Sequence, residues 1–225
     1  MKDQYKQLLD LFKLKEENDR YGRTWMQSPF SFDNKTAATN AYAAVIISEK
    51  SDYEDYSERM DQVKDYSENL WIDIPVSWLK KALDTIPKQS PNCDACNGRK
   101  EVGFDFDHRD KQYNILAMCP VCEGSGLKNQ YEPLFNGMVY SSYVGAKIGH
   151  HIFKGDRLIE LIEAAKIMNV DVISLIAQTK QRDQTVFRIC DVDVISMPID
   201  KSYYPKDCIN LSHFLRGQLK EEGND

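Results

Sequence analysis

Four of the six cysteines stand as two pairs, Cys93-x-x-Cys96 and Cys119-x-x-Cys122, with 22 residues between them. Thiolates at this spacing are metal ligands. Four of them fill the tetrahedron that zinc prefers and leave no open position, so the pattern predicts one structural zinc ion and not the seat of a reaction. An iron–sulfur cluster or a redox dithiol is the competing chemistry for the same spacing. Cys190 and Cys208 stand alone, and in a reducing compartment this distribution favours metal binding over disulfides. Gly98 and Gly124 follow the second cysteine of each pair and let the chain turn sharply around the sulfurs. Between the pairs, Val102 to Met118 predicts a hairpin, which completes a zinc ribbon. The ribbon segment has few aliphatic residues, so metal binding, worth roughly 10–16 kcal/mol in zinc-finger peptides, must supply most of its folding energy. His108 is a spare imidazole, expected at an exposed turn. The charged tip Asp105 to Lys111 is a candidate contact surface.

No second constellation carries chemistry as clearly. His150 and His151 lie near Lys154 and Asp156, but adjacent strand residues point to opposite faces and cannot easily share an ion. Cys190 beside Asp191, and Cys208 near His213, are nucleophile pairs without a supporting motif. The sequence contains no P-loop, GxGxxG, HExxH or GxSxG pattern. A non-enzymatic protein is the expectation.

The elements around the cysteines follow from periodicity. Tyr5 to Leu14 predicts an amphipathic helix. Thr24 to Asp33 and Thr36 to Ser48 predict a β-hairpin turned by Asp33-Asn34-Lys35. Glu49 to Asn69 is acidic and tyrosine-rich with almost no aliphatic residues, which suits a surface loop or a solvated helix. Leu70 to Ile74 predicts a strand. Pro75 opens a helix striped by Val76, Leu79, Leu83 and Ile86. Gly137 to Phe153 reads as strand and Arg157 to Met168 as a helix. Val170 to Ala177, Thr185 to Cys190 and Val192 to Ile199 read as three more strands. Helices mixed with antiparallel strands make the class α+β, and a helix followed by strands occurs in each half, which suggests a duplication.

The 225 residues carry a net charge of −6, with 42% hydrophobic and 28% charged residues. A uniformly basic, nucleic-acid-coating surface is excluded, but a localised basic face is not. No apolar run is long enough for a transmembrane helix, and the N-terminus lacks a secretory pattern, so a cytoplasmic location without a membrane partner is expected.

Two resemblances bear on these elements. Cys119-Pro-Val-Cys122-Glu-Gly124-Ser-Gly126 matches the CxxCxGxG repeat of J-domain co-chaperones, and Cys93 to Lys100 matches it except at the last glycine. The likeness ends with the ribbon, since the chain has no His-Pro-Asp tripeptide. Outside the ribbon, Ala38-Thr39-Asn40-Ala41-Tyr42 is similar to the Ala-Thr-Asp-Gly-His stretch of bacterial DNA sliding-clamp subunits. The run from Thr185 to Ile199, with Met197-Pro198, resembles their closing strands. Asn40, Tyr42 and Ala43 depart from that pattern.

The clamp resemblance implies a duplicated helix-plus-strand fold that assembles into a homo-oligomeric ring around double-stranded DNA. Such a ring contacts phosphates without reading sequence, and meets other replication proteins. Lys80, Lys81, Lys154, Arg157 and Lys166 are the candidate DNA-binding residues. Gln7 to Phe12 loosely resembles a clamp-binding peptide, although core packing explains it more simply.

The expected organisation is a first clamp-like half over residues 1–89, the ribbon over 90–128, a second half over 129–200, and a tail over 201–225. The leading expectation is a non-catalytic, zinc-binding, clamp-like replication protein of phage or mobile-element type. The alternative is a zinc-stapled inhibitor or adaptor with no role on DNA.

Overall fold

Tyr5, Leu8, Leu9 and Phe12 recur at the spacing of one helical face, and all four are buried on α1 (Asp3–Phe12). The structure is a computed structural model that describes residues 1–19, 21–56, 71–86, 88–89, 92–127, 139–140, 144–179, 184–198 and 207–210. The chain falls into two units, Met1–Ile86 with Ser142–Asp225, and Pro87–Ser141.

In the first unit, α1 is followed by a meander of β1 (Phe30–Phe32), β2 (Lys35–Thr39) and β3 (Ala43–Ile47). The predicted first hairpin is present, but its strands differ from expectation. Thr24–Met26 is a 3-10 turn, leaving only Phe30–Phe32 extended. Asp33 and Asn34 alone form the turn, both with positive φ, while Lys35 pairs with Phe32. Thr36 to Ser48, read as one extended segment, is broken between β2 and β3. There the Asn40 side-chain oxygen accepts the backbone N–H groups of Tyr42 and Ala43, and Ala41 takes a φ of 76°. A side-chain acceptor thus makes a turn that the apolar run conceals.

Next come β4 (Ile72–Pro75) and α2 (Val76–Thr85), which buries Val76, Leu79, Ala82 and Leu83. The later strand-like stretch becomes β9 (Val144–Ile148) and β10 (His151–Phe153), turned at Gly149 and His150. Then α3 (Gly155–Ile167) buries Leu158, Leu161, Ile162 and Ala165, and leads into a second meander. Its strands are β11 (Val172–Thr179), β12 (Gln184–Ile189) and β13 (Val192–Ser196). The stretch expected as a tail holds β14 (Asp207–Asn210), which pairs in parallel with β9. Of the acidic segment, residues 57–69 lie outside the described residues, as does His213.

The two meanders form one sheet, ordered β1-β2-β3-β13-β12-β11-β4. Their last strands pair antiparallel, with Val45 opposite Val194 at the centre of the register. The arrangement is therefore two helix-plus-meander repeats, α1 with β1–β3 and α3 with β11–β13, joined edge to edge at the β3–β13 pair. Buried side chains occupy both faces of β3 and nearly all of β12. One cluster joins Phe30, Phe32, Ala37 and Ile46 from the first repeat to Ile176, Ala177, Val186 and Ile195 from the second.

Polar contacts cross between the repeats in matching places. From the β2–β3 turn, Asn40 Nδ2 donates to Glu160 on α3 at 2.9 Å. In the β12–β13 turn, Asp191 accepts the Tyr5 hydroxyl of α1. Tyr5 is the third residue of its helix, and Arg157, which donates to Asn40 Oδ1 at 3.4 Å, is the third of the other. Each repeat's last turn thus holds the first turn of the other repeat's helix.

In the second unit, β5 (Lys88–Gln89) pairs with β8 (Val139–Tyr140), and Asn92 bridges Leu127. Between them in the chain, β6 (Glu101–His108) and β7 (Lys111–Met118) form a regular antiparallel hairpin, as the sequence predicts. Arg109 and Asp110 make its two-residue turn, both with positive φ, a geometry that follows the twist of the strands.

Candidate metal centre and candidate DNA-binding residues

The ribbon's core is made of sulfur. Cys93, Cys96, Cys119 and Cys122 are all buried, and Val102 of β6 packs against them. Their Sγ atoms lie within 4.8 Å of one another, with Cys93 to Cys119 at 3.9 Å and Cys96 to Cys122 at 3.8 Å. Sulfurs held about 2.3 Å from one tetrahedral zinc lie about 3.8 Å apart, so the cage fits a single ion. A disulfide, at about 2.05 Å, does not fit either separation.

The two knuckles are built alike. Asn97 and Gly98 follow the first pair with φ of 50° and 80°, and Glu123 and Gly124 follow the second with 50° and 76°. The Cys93 amide donates to the Gly126 carbonyl at 2.9 Å, and the Cys119 amide to the Lys100 carbonyl at 2.8 Å. Gly126 and Lys100 occupy equivalent places, each the seventh residue after the first cysteine of its own knuckle. Both are left-handed, with φ of 76° and 71°. Each knuckle therefore anchors the other, and Lys100 takes the backbone shape of the glycine it replaces in the repeat.

Two thiols of the cage are shifted in opposite directions. Burial opposes ionisation of Cys122, but the Gly126 N–H, 3.3 Å from its Sγ, and the neighbouring cysteines outweigh it and bring the thiol down to about 6. Burial pushes the Cys96 thiol up, a cost that a bound cation offsets.

The candidate DNA-binding residues separate into two kinds. Lys80 and Lys81 are exposed on α2, Lys154 is exposed just before α3, and Lys166 is exposed near the end of α3. Lys80 and Lys166 line one cleft of about 400 Å³ together with Glu163 and Asp171. Lys166 also pairs with Glu163 at 3.2 Å. Arg157 is different: its side chain is 12% exposed and held between Asp156 at 2.9 Å and Glu160 at 2.7 Å. Burial opposes its charge, but the two carboxylates hold its pKa above the ordinary value. Burial also pushes Glu160 up to about 7, against the pull of Arg157.

The histidine pair does not converge. His150 is exposed in a turn, whereas His151 is buried with Nδ1 2.6 Å from the Thr185 hydroxyl. Cys190 is exposed in the β12–β13 turn. Asn40 organises both its own turn and the Arg157–Glu160 pair, a role the sequence reading misses. Its signal is a turn-forming amide at the end of a β run.

No protein-family model matches the sequence, and no curated protein matches it. Among solved structures, the chain is similar to a DNA polymerase sliding clamp from Bacillus subtilis, at 11% identity and a TM-score of 0.40, over 89% of this chain and 63% of that one. It is also similar to a protein of Eubacterium rectale described as a putative DNA polymerase III beta subunit, at 10% identity and a TM-score of 0.42, over 89% and 64%. The chain thus spans just under two thirds of the length of these structures.

Proposed function

We propose that the chain is a non-catalytic, zinc-binding clamp-like protein that acts on double-stranded DNA in replication, as a homo-oligomer and together with other replication proteins. The observation that carries this reading is the pair of helix-plus-meander repeats joined through β3 and β13. That is the duplicated design implied by the sequence resemblance at residues 38–42 and 185–199. The bound ion is one zinc per chain, held by Cys93, Cys96, Cys119 and Cys122, and its role is structural. The DNA-contacting residues are Lys80 and Lys81 on α2, Lys166 near the end of α3, and Lys154 just before its start. Arg157, its charge taken up by Asp156 and Glu160, does not meet phosphate.

Retention on DNA tests the clamp. The protein is expected to assemble at high concentration and to stay on nicked circular duplex longer than on linear duplex of the same length. Replacing Lys80 and Lys166 with glutamate is expected to weaken retention and lower the salt slope, by roughly 0.9 for each phosphate no longer neutralised. A strict monomer that leaves both DNAs equally fast sinks the clamp and favours the adaptor reading. Elemental analysis tests the metal: one equivalent of zinc is expected, and iron in its place would overturn the assignment.

A further inference from the structure

The register of β6 and β7 sorts the hairpin's side chains into two unlike faces. Val102, Phe104, Phe106 and His108 share one face with Ala117, Ile115, Tyr113 and Lys111 directly opposite them. Glu101, Gly103, Asp105 and Asp107 share the other with Met118, Leu116, Asn114 and Gln112. All three carboxylates of the two strands therefore lie on the second face, where Asp105 accepts a hydrogen bond from Asn114 at 2.6 Å. The first face holds no carboxylate. It runs from Val102 against the cysteine cage, through two apolar cross-strand pairs, to the bases His108 and Lys111, which flank the Arg109–Asp110 turn.

That face is bare. Phe104 is 49% exposed, Phe106 46%, Tyr113 41% and Ile115 50%. Phe106 and Tyr113 stack on each other at 5.1 Å and 14° between planes, which fixes two of the rings against the strands. Exposed aromatics on a rigid ribbon normally call for a cover. The four side chains alone offer a few hundred Å² at most, well short of the roughly 800 Å² per partner of a stable protein pair. A flexible anionic polymer that can lay flat apolar surfaces on rings, with its charge beside Lys111 on the face that has no strand carboxylate, fits both the size and the charge pattern.

We propose that this aromatic face of the ribbon is a stacking platform for single-stranded DNA. Bases stack on Phe104 and on the Phe106–Tyr113 pair, and the backbone phosphates meet Lys111, Arg109 and His108. The carboxylates on the far face keep the strand to one side. The inference rests on the reading of the chain as a DNA-side protein for its choice of polymer, but needs no ring. It gives the ribbon a role at a junction between duplex and single strand.

Fluorescence anisotropy of a labelled deoxythymidine oligomer of about 15 nucleotides, with the full-length zinc-loaded protein, tests it. Such a linear strand cannot report encirclement, so failure of the circular-duplex assay leaves this result untouched, and the reverse. Binding that weakens with salt is expected. Phe104→Ala should weaken it at least about fivefold, and Phe104→Trp should retain it. Lys111→Gln should lower the salt slope by roughly 0.7. Asp105→Asn, on the opposite face, should leave affinity unchanged or raise it. Zinc content confirms that each variant keeps its ribbon. Absence of binding at low salt overturns the proposal, as does binding indifferent to Phe104→Ala. If Phe104→Ala leaves oligomer binding intact but abolishes self-association in sedimentation, the face is a protein surface and the proposal falls.

Discussion

The two units are stabilised by different physics. In the first, both faces of a sheet are buried beneath apolar side chains, and Phe153 meets Phe187 edge-on at 5.9 Å. In the second, the buried cluster is four cysteines with one valine leaning on them, and both strands of the hairpin are exposed along almost their whole length. Yet each is a doubled motif. The first joins two meanders through β3 and β13, the second joins two knuckles through reciprocal backbone bonds. The difference is in what the doubling achieves. Repeats rich in aliphatic residues make a continuous core, whereas repeats rich in cysteine make a cage that is complete only with an ion.

Removing the ion should therefore set the two units apart. Cys119→Ser, or a strong chelator, should abolish metal binding and melt residues 92–127, because roughly 10–16 kcal/mol of apparent binding energy sustains such a fold. The first unit should keep its hydrogen-exchange protection. Loss of protection in both units at once would show that they fold as one.

The converse variant is Phe187→Ala, which empties a fully buried site. It should cost about 3–5 kcal/mol in urea unfolding of the first unit. Zinc stoichiometry should stay at one. A fall in metal content would again contradict independence.

A smaller effect separates the units by pH. Glu160 is raised from 4.5 to about 7 in the folded protein by burial, despite Arg157. The folded state therefore holds this proton when the unfolded state has released it, and stability falls as pH rises from about 4.5 to 7. The loss should be on the order of 1–3 kcal/mol for the first unit, and Glu160→Gln should flatten it. The ribbon's pH dependence should run the other way, since protonation of its thiolates below neutrality releases metal.

The same contrast decides which features are legible in the sequence. The metal site is legible because its ligands come as two local pairs, and ligand spacing is a local property. The helices are legible from their stripes, as at Leu158, Leu161, Ile162 and Ala165. What escapes depends on distant partners. Arg157 reads as a candidate phosphate contact until Asn40, 117 residues away, joins it to the β2–β3 turn. Its neighbours Asp156 and Glu160, at i−1 and i+3, are the available sign that its charge is already matched. The Asn40 turn is hidden in an apolar run because one side-chain oxygen makes it. β14 is four residues long and pairs with a strand far back in the chain, so no periodicity announces it. Within the hairpin, alternation places Phe104 and Phe106 on one face, but exposure of that face is a fact of packing that no pattern states.

The finest distinction lies between the two knuckles themselves. Lys100 and Gly126 share a left-handed backbone, but only Gly126 lacks a side chain to strain it. A Cβ at Gly126 would meet the Gly98 carbonyl oxygen at 2.8 Å and the Lys100 side chain at 3.0 Å. Gly126→Ala should therefore destabilise the ribbon by about 1–3 kcal/mol and weaken zinc retention against a competing chelator. Lys100→Gly should do the opposite. Relief of a left-handed residue is worth about 1–2 kcal/mol, and added freedom in the unfolded chain takes back about 0.5–1. The net gain should be at most about 1.5 kcal/mol, read as slower zinc loss to the chelator. If both changes destabilise alike, the knuckles are not equivalent, and Lys100 holds its conformation through its side chain and not in spite of it.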